Sequence, residues 1–185
     1  PENIREICSE LVKGDYDLGI VVDPDVDRLA LVCENGEPFG EEYTLVAVTD
    51  YILSQSSGQP LRTVSNLSST IALKDVTEKY GGTYEASAVG EVNVVKKMKE
   101  IGAIIGGEGN GGIIYPELHY GRDALVGIAL FLSHLAHFGK SVGFLRKKYP
   151  NYHIAKKKIE LSEDVDLKHI LHEIEKKYVG KYPVI

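Results

Sequence analysis

The sequence predicts an α/β fold, a layered and largely parallel sheet flanked by helices, and three observations predict it. From residue 41 onward, apolar runs too short for helices alternate with longer stretches of helical character. Serine, glycine and proline clusters punctuate the alternation at nearly every junction. The pattern then stops near Pro150, which limits the complete domain to the middle of the chain.

Over Glu2 to Val12, Ile4, Ile7 and Leu11 share one helical face, and Gly14 is expected to stop that helix. Asp17–Asp23 and Leu29–Cys33 read as two buried strands separated by an acidic loop, with Glu34-Asn35-Gly36 as the turn that follows. Glu42 to Leu53 is a helix and Ser54–Pro60 a loop. Arg62–Ser65 is a strand, followed by a helix over Ser69–Tyr80, capped by Ser68 or Ser69 and ended by Gly81-Gly82. Thr83–Ala86 is a strand, Val92–Ile101 a basic amphipathic helix and Ala103–Gly106 another strand. After a glycine-rich turn, Gly112–Tyr115 is a short strand and Asp123–Phe138 a strongly apolar helix whose start Arg122-Asp123 is expected to help cap. Ile154–Leu161 reads as a lysine-rich strand and Leu167–Tyr178 as an amphipathic helix, too little for a domain of their own. The expected boundaries give partial domains over 1–40 and 154–185 around a complete one at 41–153.

With 43% hydrophobic and 26% charged residues, the 185-residue chain can form a packed core. A net charge of −6 argues against nucleic acid as a partner, yet leaves room for a small anion held by a few local cations. No apolar run reaches the roughly 18 residues of a membrane span. Cys8 and Cys33 make neither a disulfide framework nor a metal spacing and read as small core residues, in keeping with a reducing cytoplasm. The chain has no initiator methionine or signal peptide and has the look of a segment of something longer.

Asp23-Pro24-Asp25-Val26-Asp27-Arg28 is the sharpest feature. Alternation puts three carboxylates on one side of an extended loop, Pro24 stiffens it, and no Cys or His lies close by. Such a set of hard oxygens suits Mg²⁺, and Arg28 adds a bidentate phosphate donor beside it. An exposed, solvated acidic turn is the plainer alternative. An EF-hand is a poor match, because its sixth position, here Arg28, must be glycine. A phosphatase loop with an Asp nucleophile is the remaining competitor, lacking the threonine expected there.

Gly106-Gly107-Glu108-Gly109-Asn110-Gly111-Gly112 is the second feature. Five glycines let backbone approach a ligand, a carboxylate accepts from vicinal hydroxyls, and Asn110 both donates and accepts. A sugar can be read that way; a flexible glycine turn is the alternative. Lys96, Lys97 and Lys99 read as a solvated face, and His134 with His137, at i and i+3, as helix residues rather than a metal pair.

Together these residues resemble the α-D-phosphohexomutases, the phosphoglucomutase, phosphomannomutase and phosphoglucosamine mutase family. Asp23-Pro24-Asp25-Val26-Asp27-Arg28 is similar to the family's D-x-D-x-D-R metal loop, and Gly107–Gly112 to its G-E-x-S-G-H sugar loop. Asn110 stands at the serine position and Gly112 where the family has histidine. Gly90-Glu91, at the entry to a helix, resembles a G-H or G-D pair and reads as a cap or hydroxyl contact. His119, seven residues beyond Gly112, reads as a loop histidine or as a substitute for the missing one.

The resemblance implies a phosphoglucomutase domain III-like fold, with the end of domain II before it and the start of domain IV after it. It implies Mg²⁺ on Asp23, Asp25 and Asp27, Arg28 as a catalytic group beside the phosphate, and Glu108 and Asn110 as sugar-binding residues. The implied reaction interconverts hexose 6-phosphate and hexose 1-phosphate, through a phosphoserine and a hexose 1,6-bisphosphate that also serves as activator. The phosphoserine and distal phosphate loops would belong to domains I and IV, outside this segment, which alone would be inactive. A stand-alone sugar-phosphate or metal-binding module and a Mg²⁺-dependent phosphatase are the alternatives.

Overall fold

A computed structural model describes residues 4–155, 158–162 and 165–178. The chain divides into two compact units, Pro1–His153 and Ile154–Ile185. In the first unit, α1 (Arg5–Lys13) precedes an antiparallel ladder of β1 (Leu18–Val22) and β2 (Leu29–Cys33). Next come α2 (Glu41–Gln55), β3 (Arg62–Asn66), α3 (Ala72–Lys79), β4 (Thr83–Ser87) and α4 (Glu91–Ile101). β5 (Ile105–Glu108), β6 (Gly112–Ile114), α5 (Ala124–Phe138) and α6 (Val142–Lys147) complete it.

The main sheet runs β4-β3-β5-β6. β3 pairs parallel with β4 and with β5, and only the β5–β6 hairpin is antiparallel. The sheet is thus mixed and mostly parallel, as expected. Strand alternation splits the apolar residues between two layers. Ile105 and Ile113 point into a core formed with α2, α3 and α5 that also contains Leu29, Leu31 and Cys33 of β2. Val64 and Ile114 point the other way, onto Val94 and Met98 of α4. A Phe39–Phe131 edge-to-face pair, with centroids 5.1 Å apart, locks β2's exit to α5.

A buried carboxylate lies inside this core. Asp50, fully buried in α2, accepts from Tyr80 Oη at 2.8 Å and Lys79 Nζ at 3.3 Å through Oδ1. Through Oδ2 it accepts from Lys148 Nζ at 2.5 Å and Tyr149 Oη at 3.1 Å. His134 Nε2 of α5 stands 3.4 Å from the same oxygen and 3.0 Å from Tyr149 Oη. His134 is therefore a buried structural partner, and His137 bonds its own helix through the Ser133 carbonyl at 2.8 Å.

Several expected elements shift for identifiable reasons. α3 starts at Ala72, because Ser68 and Ser69 are engaged by Asn66: its Oδ1 accepts from Ser68 N at 3.1 Å and Ser69 Oγ at 2.7 Å. The strand read at Ala103–Gly106 lies two residues later, so that Gly107 and Glu108 are strand rather than loop. Asp123 caps α5 as expected, its Oδ1 accepting from Val126 N at 3.0 Å.

In the second unit, positions 154, 155 and 158–161 carry no strand, contrary to expectation; residues 156–157 lie outside the described residues. Ile159 and Leu161 are exposed there, and a strand without a partner ladder has nothing to stabilise it. α7 (Leu167–Tyr178) forms, with no buried residue. Among the described residues, no helix is long and apolar enough to cross a membrane.

Candidate active site

The acidic loop spans residues 23–28 between β1 and β2. Its pivot is Val26, at φ +57°, a left-handed conformation that a β-branched residue adopts only under constraint, at a cost of roughly 1–3 kcal/mol. The constraint is visible: Val26 N donates to the Asp23 carbonyl and the Val26 carbonyl accepts from Ala124 N, each at 3.0 Å. The first residue of α5 therefore holds the loop in shape.

Asp23 Oδ1 accepts from the amides of Asp27 and Arg28 at 3.1 Å, and Arg28 Nε donates to Asp23 Oδ2 at 2.5 Å. Burial opposes its ionisation, but the Arg28 guanidinium and these amides hold the Asp23 carboxyl well below the usual range. For Asp27, burial and the neighbouring charges of Asp25 and Asp23 push upward against the pull of Arg122. One oxygen each from Asp23, Asp25 and Asp27 gathers within 4.8 Å of the others. Asp27 Oδ1 is buried and makes no hydrogen bond among the described residues. A buried carboxylate oxygen left without a donor is costly, and a hard cation is the partner that three converging carboxylates suit. The residues present therefore fit Mg²⁺. Arg28 stands 3.5 Å from Asp27 Oδ1, and its terminal nitrogens make no hydrogen bond among the described residues.

The glycine-rich segment is a hairpin, not an open turn. Glu108 pairs with Gly112, and only Gly109-Asn110-Gly111 form the turn. Gly111, at φ +87°, offers its carbonyl to Leu29 N at 3.1 Å. A Cβ there would strike the Leu29 backbone, and one on Gly109 would stand 2.9 Å from Ser69 Cα. These glycines thus admit the protein's own backbone, which corrects the expectation that they admit a ligand. Gly111→Ala combines a left-handed alanine with this clash and should destabilise the chain by about 2 kcal/mol or more. Urea denaturation measures it; a loss below about 0.5 kcal/mol would show that the tip is not clamped.

Glu108 and Asn66 end the parallel strands β5 and β3, at the carboxyl edge where open α/β sheets place ligands. Glu108 is buried, and three donors already hold it. Oε1 accepts from Asn66 Nδ2 at 2.6 Å and Gly90 N at 3.3 Å, and Oε2 from Arg122 Nη1 at 2.8 Å. A carboxylate has about four acceptor sites, so roughly one remains for a ligand hydroxyl. Asn110 Oδ1 accepts from Gly112 N at 3.1 Å. Asn110 lines an open groove of about 420 Å³ together with Asp23, Pro24, Arg28 and Glu41.

Sequence reasoning missed the centre of this arrangement. Arg122, expected only to assist a helix cap, pairs through Nη2 with Asp27 and through Nη1 with Glu108. Its Nε lies 3.2 Å from Glu91 at the start of α4, and its backbone amide donates to Glu91 Oε1 at 3.3 Å. His119 does not fill the place of the missing histidine. Gly121 N donates to its Nδ1 at 3.0 Å, leaving Nε2–H to face Asp123 Oδ2 at 3.0 Å, so both ring nitrogens are taken. Asn66 carried one usable signal, its position at the end of a strand in an α/β alternation.

Residues 40–152 match the family model described as phosphoglucomutase/phosphomannomutase, alpha/beta/alpha domain III. A Thermococcus kodakarensis phosphoglucomutase/phosphomannomutase is 31% identical over 88% of this chain and 35% of its own length. A Campylobacter lari phosphoglucosamine mutase is 32% identical over 96% of this chain and 43% of its own. The crystal structure of a phosphoglucomutase/phosphomannomutase family protein from Burkholderia thailandensis superposes with a TM-score of 0.73 at 26% identity, covering 82% of this chain and 32% of that one. The chain spans about a third to two fifths of the length of these relatives.

Proposed function

The chain belongs to the phosphoglucomutase/phosphomannomutase family, and from that membership we propose that it supplies the metal loop and sugar-recognition hairpin of a Mg²⁺-dependent phosphohexomutase. Its reaction would interconvert hexose 6-phosphate and hexose 1-phosphate, of the phosphomannomutase or phosphoglucosamine mutase type. In this reading residues 1–40 end domain II, 41–153 form domain III and 154–185 begin domain IV. The phosphoserine and the distal phosphate site come from domains I and IV of the same polypeptide, and the 185-residue segment alone does not turn over.

The observation that carries the reading is the convergence of one carboxylate oxygen each from Asp23, Asp25 and Asp27, beside a buried Asp27 Oδ1 that makes no hydrogen bond among the described residues. These residues would hold Mg²⁺, which supplies neutralisation of the charge on the transferring phosphoryl group. Arg28 has its terminal nitrogens to direct at a phosphate, a pairing that Arg geometry favours. Glu108 accepts a sugar hydroxyl at its remaining site, and Asn110 Nδ2 donates one hydrogen bond. Because Glu108 is already fixed by Asn66, Gly90 and Arg122, it meets the sugar as a preset acceptor.

Phosphorus NMR tests the proposal. The polypeptide carrying this chain together with a serine loop is mixed with Mg²⁺, a trace of hexose 1,6-bisphosphate and, separately, glucosamine 6-phosphate, mannose 6-phosphate or glucose 6-phosphate. Conversion of one to its 1-phosphate is expected, and identifies the sugar. Release of inorganic phosphate instead would point to a phosphatase, and no change with any of the three would leave a binding module.

A further inference from the structure

Three carboxylates from three separate elements converge on one guanidinium. Arg122 pairs with Asp27 of the acidic loop and Glu108 of β5, and its Nε stands 3.2 Å from Glu91 of α4. Its side chain is only 19% exposed, and Nε is buried and makes no hydrogen bond among the described residues. One positive charge thus faces three negative ones in a half-buried space, so no partner can change its hold on Arg122 without the others responding.

The local sequence is built around this bridge. A Cβ on Gly112 would stand 2.5 Å from Arg122 Cδ, in the middle of the side chain rather than at its mobile end. A side chain at 112 and the bridging arginine therefore compete for one space, which gives the departure from histidine there a physical partner. The arginine is fixed from behind as well, because Asp123 beside it caps α5 and Ala124 N holds the Val26 carbonyl.

We infer that Arg122 is a positioning residue that couples the acidic loop to the sugar hairpin, so that a cation held by Asp23, Asp25 and Asp27 is felt at Glu108. The inference rests on the reading of those aspartates as cation ligands. A cation drawing on the Asp27 carboxylate weakens its claim on Nη2, and the guanidinium shifts its hold toward Glu108 and Glu91. Glu108 then answers through its other contacts, Asn66 Nδ2 and Gly90 N. By linkage, a sugar hydroxyl bound at Glu108 alters cation affinity by the same factor.

The Gly90 amide is the readout, because it reports Glu108 from the side away from the loop. The hairpin tip is unsuitable, since Gly111 also touches Leu29 directly. The ¹⁵N-labelled 185-residue chain is titrated with Mg²⁺ and amide shifts are followed for the wild type, Arg122→Met and Arg122→Lys. In the wild type, amides at 25–28 and at Gly90 should move with one titration midpoint. In Arg122→Met the loop amides should still move, while the Gly90 displacement falls at least fivefold. Arg122→Lys keeps the charge without the planar fork and should recover part of it. A dispersed spectrum establishes folding for each variant; should Arg122→Met lose it, Arg122→Lys carries the comparison. Wild-type loop amides that ignore Mg²⁺ would overturn the cation reading itself. Loop amides that move while Gly90 stays still, or an undiminished Gly90 response in both variants, would overturn the coupling alone.

Discussion

Asp25→Asn is expected to remove nearly all the stabilisation that Mg²⁺ confers on the chain, while leaving the metal-free protein as stable as before or slightly more so. The two halves of this expectation have separate causes. Asp25 is exposed and, among the described residues, makes no hydrogen bond or ion pair, so the near-isosteric change disturbs no packing. Its charge repels Asp27, whose carboxyl burial and neighbouring acids already push upward, and losing that charge relieves the metal-free loop. A hard cation, by contrast, loses a charged ligand, and even outer-shell losses weaken metal sites by about 10–100-fold. At a Mg²⁺ concentration 100 times its dissociation constant, the wild type gains about 2.7 kcal/mol. A 100-fold weaker variant gains only about 0.4 kcal/mol at the same concentration. Thermal unfolding with and without Mg²⁺ reads both numbers, and turnover of the whole polypeptide should fall by about 100-fold or more alongside. An equal Mg²⁺-dependent gain in both proteins would remove Asp25 from the ligand set.

The acidic loop was legible because three acids within five residues stay near one another through the chain itself, so spacing pointed to Asp23, Asp25 and Asp27. The turn at Val26 that shapes the loop was not legible, because Ala124 of α5, about 100 residues on, holds it. The layered sheet was legible for a similar reason, since short apolar runs between helical stretches leave few other architectures. The glycine-rich segment was not, because glycine has two unrelated uses. Its sequence suggests room for a ligand, whereas Gly109 and Gly111 make room for Ser69 and Leu29, residues roughly 40 and 80 positions away in the chain. Arg122 was hidden by the same distance problem. Beside Asp123 it looks like part of a helix start, and nothing local reveals that Asp27, Glu91 and Glu108 come to it from three other elements. The lysine-rich Ile154–Leu161 stretch failed in the opposite sense, since its pattern suits a strand but its described positions have no partner strand to pair with.

Asp50→Asn should have the largest effect on stability, because this carboxylate ties four helical segments together out of contact with solvent. It receives Tyr80 and Lys79 from α3 and the turn after it, Lys148 and Tyr149 beyond α6, and faces His134 of α5. Breaking a buried ionic network costs about 3–5 kcal/mol. The lower end is expected here, since Lys79 and Lys148 are 52% and 35% exposed and can turn to water, whereas Tyr149 and His134 cannot. The pH dependence has a definite sign. Burial opposes ionisation, yet His134, Lys148 and Tyr80 hold the Asp50 carboxyl well below its ordinary range in the folded chain. A depressed folded value means that the contribution is complete above the unfolded carboxyl pKa of about 3.9 and is lost as pH falls below it. Urea denaturation at pH 7 and pH 3 should therefore show the gap between wild type and variant narrowing by about 1 kcal/mol at the lower pH. A gap that stays constant would assign the loss to packing rather than charge. The consequence reaches the site, because α5 carries His134 in this network and Asp123, Ala124 and the neighbouring Arg122 at its other end. A weakened anchor at Asp50 should thus loosen the Val26 pivot and the Asp27 contact that α5 holds in place, and the same variant should bind Mg²⁺ less tightly although it lies outside the ligand set.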